Sequence, residues 1–366
     1  MPGGLTAYLR SLIAAEGPIP VSRFMAEALG HPEHGYYRTR DPLGAAGDFV
    51  TAPEISQVFG ELIGAWCAVV WEQAGRPDPV HLVELGPGRG TLMADALRAL
   101  AMVAPAFDAA AALHLVETGP TLRAAQAAAL GARPRWHETI EALPAGPMIL
   151  VANEFFDALP VHQLVRRGAA WHERLVGCDR ASAAFCFEVS DRPSTLETPR
   201  IDAAAGDILE VGPAREAVAA EIARRIAAHG GGALIVDYGH GASAVGDTLQ
   251  AMRGHGYAAA LEAPGEADLT AHVDFAALAR AAGDAGAGGV AVFGPATQGG
   301  FLRALGIEAR TGALAAAAPD AKAREAVAGG ASRLTDPWQM GSLFKALALI
   351  HASQPPPPGF EANGAP

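Results

Sequence analysis

Four short stretches of the chain are apolar without alternation: Val80 to Leu85, Leu113 to Val116, Met148 to Ala152 and Ala233 to Val236. Runs of that length are strands buried on both faces, the habit of parallel sheets packed between helices. After the first run the period changes. Thr91 to Val103 sets Leu92, Ala96, Leu97 and Leu100 on one face of a helix, and strand, turn, helix in that order predicts a doubly wound α/β domain.

The flanking segments follow other patterns. Leu5 to Ala15 and Ile55 to Trp71 read as helices, separated by a Gly-rich stretch from His31 to Pro53 whose Tyr36, Tyr37 and Phe49 argue for an ordered, functional loop. Between the third and fourth apolar runs, the alternation of Ala183 to Val189 and the turn-rich Ser190 to Thr198 predict an inserted β-ribbon. Ala214 to His229 reads as a helix stopped at Gly230, and Asp274 as the cap of another helix ending before Gly283. The Ala and Leu content of Gln298 to Ser353 suggests helices, and the Pro-rich end suggests a disordered tail. The expected organisation is therefore an N-terminal cover over 1–75, a Rossmann-like core over 76–165 and 214–295, a β-ribbon over 166–213, a helical part over 296–353 and a tail over 354–366.

Composition narrows the function. The 366 residues carry a formal charge of -12 and no block of basic residues, which leaves out the electrostatic footprint of a nucleic-acid binder. No apolar stretch is long enough to span a bilayer. Cys67, Cys178 and Cys186 are few and irregularly spaced, against a disulfide framework or thiolate metal site. With no leader pattern at the N-terminus and cations that are almost all Arg, the expectation is a cytoplasmic bacterial protein. His31-Pro32-Glu33-His34 lacks the further ligands and the helix that a zinc site needs.

The first strand ends in Glu84 and turns through Gly86, Gly88 and Gly90 into the helix from Thr91. Glycine permits positive φ and close approach of a ligand, and the helix N-terminus offers unpaired N–H groups. A dinucleotide fingerprint would need Gly where Thr91 stands, so S-adenosylmethionine fits better. The second strand ends in Glu117, placed to accept both hydroxyls of a ribose, while Glu84 suits the cofactor's ammonium group. Asn153, Glu154 and Asp157 follow the third apolar run at the same edge. Acids there suit a cationic acceptor such as a guanidinium, which paired carboxylates hold by charge-assisted bonds. Helix capping by Asn153 or Asp157 is the alternative.

Several segments together resemble the MidA-like family of class I methyltransferases, which includes a mitochondrial complex I assembly factor that methylates an arginine. They are Gly47 to Gly60, Val83 to Leu92, Asn153 to Gln163, Val236 to Gly239, Asp247 to Gln250, Asp268 to Phe275 and Met340 to Lys345. The resemblance implies a class I methyltransferase fold and S-adenosylmethionine as donor. It also implies an arginine of the 49-kDa-type complex I subunit as acceptor, modified during assembly. Asp48, Thr51 and Glu54 are implied to lie against the cofactor pocket. Ala52 stands where some relatives have serine, so a hydroxyl at that position is not essential here. A small-molecule methyltransferase and a non-catalytic cofactor-binding assembly factor are the alternatives.

Overall fold

The computed structural model describes residues 4–39 and 50–360, and the chain divides into two compact units. One comprises Val50–Phe155, Val218–Gly241 and Phe275–Pro366, and contains the parallel sheet. The other comprises Met1–Phe49, Phe156–Ala217 and Ala242–Asp274. These units cut across the boundaries drawn from the sequence: the helix of Gln57–Gln73 belongs with the sheet, and the C-terminal residues do too.

The strands of the sheet unit are β1 (Val80–Leu85), β2 (Ala111–Val116), β3 (Arg135–His137), β4 (Met148–Asn153), β5 (Gly231–His240), β6 (Val290–Thr297) and β7 (Phe344–His351). They lie in the order β3-β2-β1-β4-β5-β7-β6. Strands β1 to β5 pair in parallel, while β7 runs antiparallel to both its neighbours. The chain builds outward from β1 to β3 and then returns to β4, which puts the reversal of strand order between β1 and β4. Ligands of open α/β sheets bind at such a point, beyond the carboxyl ends of the strands. Register brings those ends level: Leu85 stands opposite both Val116 and Ala152, and Asn153 opposite Val236.

Helix α1 (Gln57–Gln73) crosses α2 (Thr91–Val103) closely because Gly60 and Gly64 of α1 face it. A Cβ on Gly60 would lie 2.7 Å from the Asp95 Cβ, and one on Gly64 2.9 Å from the Ala96 Cα. Phe59, Ile63, Trp66 and Val70 of α1 join Leu82, Leu92, Leu100, Ile149, Val151, Leu234 and Ala348 in one core. Each large apolar side chain buried there contributes about 1.5–3 kcal/mol. Helix α3 (Pro120–Leu130) follows β2 and buries Leu122, Gln126 and Leu130.

The C-terminal part departs from the sequence-based expectation. Gln298–Ala304, Ile307–Ala316 and Ala321–Thr335 are helices, but Phe344–His351, rich in Ala and Leu, is strand β7. A slot between β5 and β6 that buries Ala346 to Ile350 on both faces outweighs helix propensity. Residues 354–360 are packed, not a free tail: the Trp66 indole N–H donates to the Pro358 carbonyl at 3.2 Å, and the Phe360 ring lies 5.2 Å from that of Phe301. Residues 361–366 of the expected tail lie outside the described residues. The helix expected to stop before Gly283 runs through Phe275–Gly286.

In the other unit, helices Gly4–Glu16 and Val21–Gly30 share a core with an antiparallel sheet. Its strands are Ile19–Pro20, His162–Arg167, Ala170–Cys178, Phe185–Pro193 and Ile208–Val211. Leu9, Phe24, Met25, Tyr36, Val161, Val176 and Leu269 form the centre of that core. The buried Arg215 guanidinium donates to the carbonyls of Asp157 (2.8 Å), Leu159 (3.1 Å), Ala271 (3.0 Å) and His272 (2.6 Å), tying two distant stretches of chain together.

Candidate cofactor and acceptor site

The turn after β1 is built by three glycines in the left-handed region, with φ of +60° at Gly86, +54° at Gly88 and +84° at Gly90. Gly86 N–H donates to the Val116 carbonyl at 3.1 Å and Gly90 N–H to the Pro87 carbonyl at 2.7 Å, which closes the turn against β2. Space is as demanding as conformation. A Cβ on Gly86 would come within 2.9 Å of the Phe155 ring, and one on Gly90 within 3.2 Å of Leu130. Gly90 precedes α2 without a side-chain cap, so the first N–H groups of α2 are at the disposal of a ligand.

Polar side chains surround this turn at the ends of the neighbouring strands. Glu84 is 3 % exposed, and its Oε2 has no hydrogen-bond partner among the described residues. Burial pushes its pKa up to about 8. Asn153 Oδ1 at the end of β4 is likewise buried without a partner among them. Glu117 follows β2; its Oε1 accepts from Gly119 N–H at 2.7 Å and its Oε2 from Gln126 Nε2 at 3.3 Å. Burial raises the Glu117 pKa, and the bonds from Gly119 and Gln126 oppose that shift.

The segment after Thr51 is locked to this edge. Thr51 precedes a short helix, Ala52–Ile55. Glu54 Oε1 accepts from the Thr91 hydroxyl at 2.5 Å, at the very start of α2. Glu154 Oε1 accepts from Ala52 N–H at 3.0 Å and from Asn153 Nδ2 at 3.2 Å. Glu154 itself has φ +50°, a conformation costly for a residue with a side chain and concentrated at functional sites. Asp237, in β5 just past the last residue that pairs with β4 and fully buried, fixes the turn by accepting from Phe155 N–H (3.2 Å) and Tyr238 N–H (2.9 Å).

The structure thus gathers Thr51, Glu54, Glu84, Gly86, Gly88, Gly90, Glu117, Asn153 and Glu154 within one unit. Asp157 belongs to the other, where it is buried beside Tyr37. The Tyr37 hydroxyl donates to Asp268 at 2.8 Å; burial pushes its pKa up, with Asp268 and Asp157 adding to the shift. Asp48 lies outside the described residues. Gln126, its partner Trp136 and Asp237 also brace this edge, and none of them is among the expected site residues. The readable sign of Gln126 was its place on the buried stripe of α3, between Leu122 and Leu130; Asp237 stood within a segment matched to the family.

This rim of carboxylates and a carboxamide fits a ligand that carries an ammonium, a sulfonium and ribose hydroxyls. Together with strand order 3-2-1-4-5-7-6 and an antiparallel seventh strand, it defines the class as a Rossmann-like class I methyltransferase dependent on S-adenosylmethionine. The comparisons agree. A family model described as "Putative S-adenosyl-L-methionine-dependent methyltransferase" matches residues 62–295, and the chain belongs to this family.

The chain is 39% identical over 372 residues to "Protein arginine methyltransferase NDUFAF7, mitochondrial" of Danio rerio, covering 95% of this chain and 87% of that protein. It is 40% identical over 379 residues to the Drosophila melanogaster homolog, covering 95% and 85%. A crystal structure from Burkholderia thailandensis bound to S-adenosyl-homocysteine superposes with a TM-score of 0.85 at 29% identity, covering 98% of this chain and 95% of that one. The cytoplasmic bacterial assignment does not stand, because these curated relatives are mitochondrial proteins. Cysteine usage and arginine bias do not distinguish those compartments. Among the described residues no helix is long and apolar enough to cross a membrane.

Proposed function

We propose that the protein methylates a guanidinium nitrogen of an arginine in a protein substrate, the 49-kDa-type subunit of respiratory complex I, during assembly. Glu154 carries this reading. A carboxylate held at positive φ, at the end of a central strand and beside the glycine turn, has a fixed direction that a cationic acceptor can use. The relatives named as protein arginine methyltransferases support the same acceptor chemistry.

S-adenosylmethionine supplies an electrophilic methyl group on a sulfonium. Around it, Gly86, Gly88 and Gly90 provide close backbone approach, Glu117 accepts from the ribose hydroxyls, and Glu84 with Asn153 Oδ1 receives the ammonium. Thr51 and Glu54 close the cofactor side. Glu154 pairs with the guanidinium, biases its charge toward the nitrogens that do not react, and takes up the proton lost as the new N–C bond forms. Such a reaction asks mainly for alignment and exclusion of water.

The test is mass spectrometry of the 49-kDa-type subunit from cells with and without the gene. A dimethylarginine that disappears on deletion and returns with the wild-type protein, but not with Gly88→Val, is the expected result. An unchanged pattern removes this subunit as the substrate.

A further inference from the structure

We infer that Gln126 is a positioning residue of the cofactor site, one amide that sets both the apex of the glycine turn and the ribose-binding carboxylate. It rests on the reading of Glu117 given above. Gln126 is fully buried on α3. The Trp136 indole N–H donates to its Oε1 at 2.8 Å. An indole N–H can only donate, so the carbonyl oxygen must face Trp136 and the NH2 group must face the opposite way. There it donates to the Gly88 carbonyl at 2.7 Å and to Glu117 Oε2 at 3.3 Å.

The consequence is a fixed geometry at two places that touch different parts of one ligand. Glu117 has its Oε1 held by Gly119 N–H and its Oε2 by Gln126, while Arg123 Nε grips its backbone carbonyl at 2.8 Å. The carboxylate plane is thereby set, with lone pairs left for a diol. The same NH2 group draws the carbonyl of Gly88 inward, which orients the peptide at the apex of the turn. α3 packs directly against Gly90: a Cβ there would be in van der Waals contact with the Gln126 Cα at 3.6 Å. An apolar residue of equal length would fill the same volume and hold neither group.

The test is titration calorimetry with S-adenosyl-homocysteine on wild type, Gln126→Met, Glu117→Ala and the double variant. Gln126→Met keeps the side-chain length and removes both donations. Expected is a loss of affinity of about tenfold for Gln126→Met and a smaller further loss when it is added to Glu117→Ala, because the part that acts through the carboxylate is already gone and only the part that acts through the Gly88 carbonyl remains. Purely additive losses would overturn the coupling. Normal affinity of Gln126→Met beside weakened Glu117→Ala would overturn the inference and leave the ribose reading intact, whereas normal affinity of Glu117→Ala would overturn both. If circular dichroism shows Gln126→Met unfolded, Trp136→Phe serves instead. It frees the amide to turn away and should weaken binding severalfold, and by less where Glu117 is absent; unchanged affinity would overturn the inference.

Discussion

Single residues at the turn behave as small machines whose parts can be removed one at a time. Gly88 sits at φ +54°, where a side chain costs about 1–2 kcal/mol and a β-branched one more. Gly88→Val should therefore remain folded and show no detectable binding of S-adenosyl-homocysteine by calorimetry; wild-type affinity would contradict the turn's assignment. Glu84 makes a prediction in protons. Its folded pKa of about 8 lies above the ordinary carboxylate value because of burial. The folded protein without ligand thus holds a proton that the unfolded chain has lost, between pH 4.5 and about 8. This group's contribution to stability is complete below pH 4.5 and fades as pH rises through about 8. An ammonium placed beside Glu84 would ionise it, so binding at pH 7 should release close to one proton, measured in buffers of different ionisation enthalpy. Glu84→Gln should abolish that release. Glu154→Gln keeps an oxygen for the Ala52 N–H and so should bind cofactor normally, yet lose turnover by roughly 100-fold. Glu84, Glu117 and Glu154 were legible in the sequence because a strand end next to a glycine turn leaves few directions for an acid. Gln126 was less legible, because an amide on a helix face shows no partner until the sheet brings Glu117 and Gly88 to it.

Elements were legible wherever one strand was buried on both faces by its own run of apolar residues. The strands β1, β4 and β5 needed nothing more, whereas β7 alternates Ala and Leu and gains its form only by pairing with β5 and β6. A further feature crosses β1, β2 and β3: His81, His114 and His137 form a chain of imidazoles, with Nδ1 of His81 3.1 Å from Nε2 of His114 and Nδ1 of His114 2.9 Å from Nε2 of His137. Burial lowers the His114 pKa to about 4, with His81, His137 and Arg135 adding to the shift. Its contribution to stability is present above pH 6.5 and is lost as pH falls through about 4. The thermal midpoint should drop over that window, and His114→Gln should flatten the dependence. A slope unchanged in that variant would assign the acid sensitivity to other groups. The chain ends next to the cofactor edge, since the His137 carbonyl accepts from Glu117 N–H at 3.0 Å.

For the whole molecule, the doubly wound sheet followed from the rhythm of the sequence, but the division into two units did not. Segments that begin beside the turn, such as Phe156–Ala217, belong to a unit assembled with residues far away in the chain, and Arg215 makes the connection through backbone carbonyls that no side-chain pattern reveals. The net charge of -12 agrees with a cationic partner without naming one. Methyl transfer to a protein arginine can be followed with purified protein, the isolated 49-kDa-type subunit and methyl-labelled S-adenosylmethionine, with hydrolysis and identification of the labelled amino acid as the readout. Label is expected in methylated arginine, lost with Gly88→Val and strongly reduced with Glu154→Gln. Label that enters another amino acid, or only small molecules when a lysate is supplied in place of the subunit, would contradict such transfer.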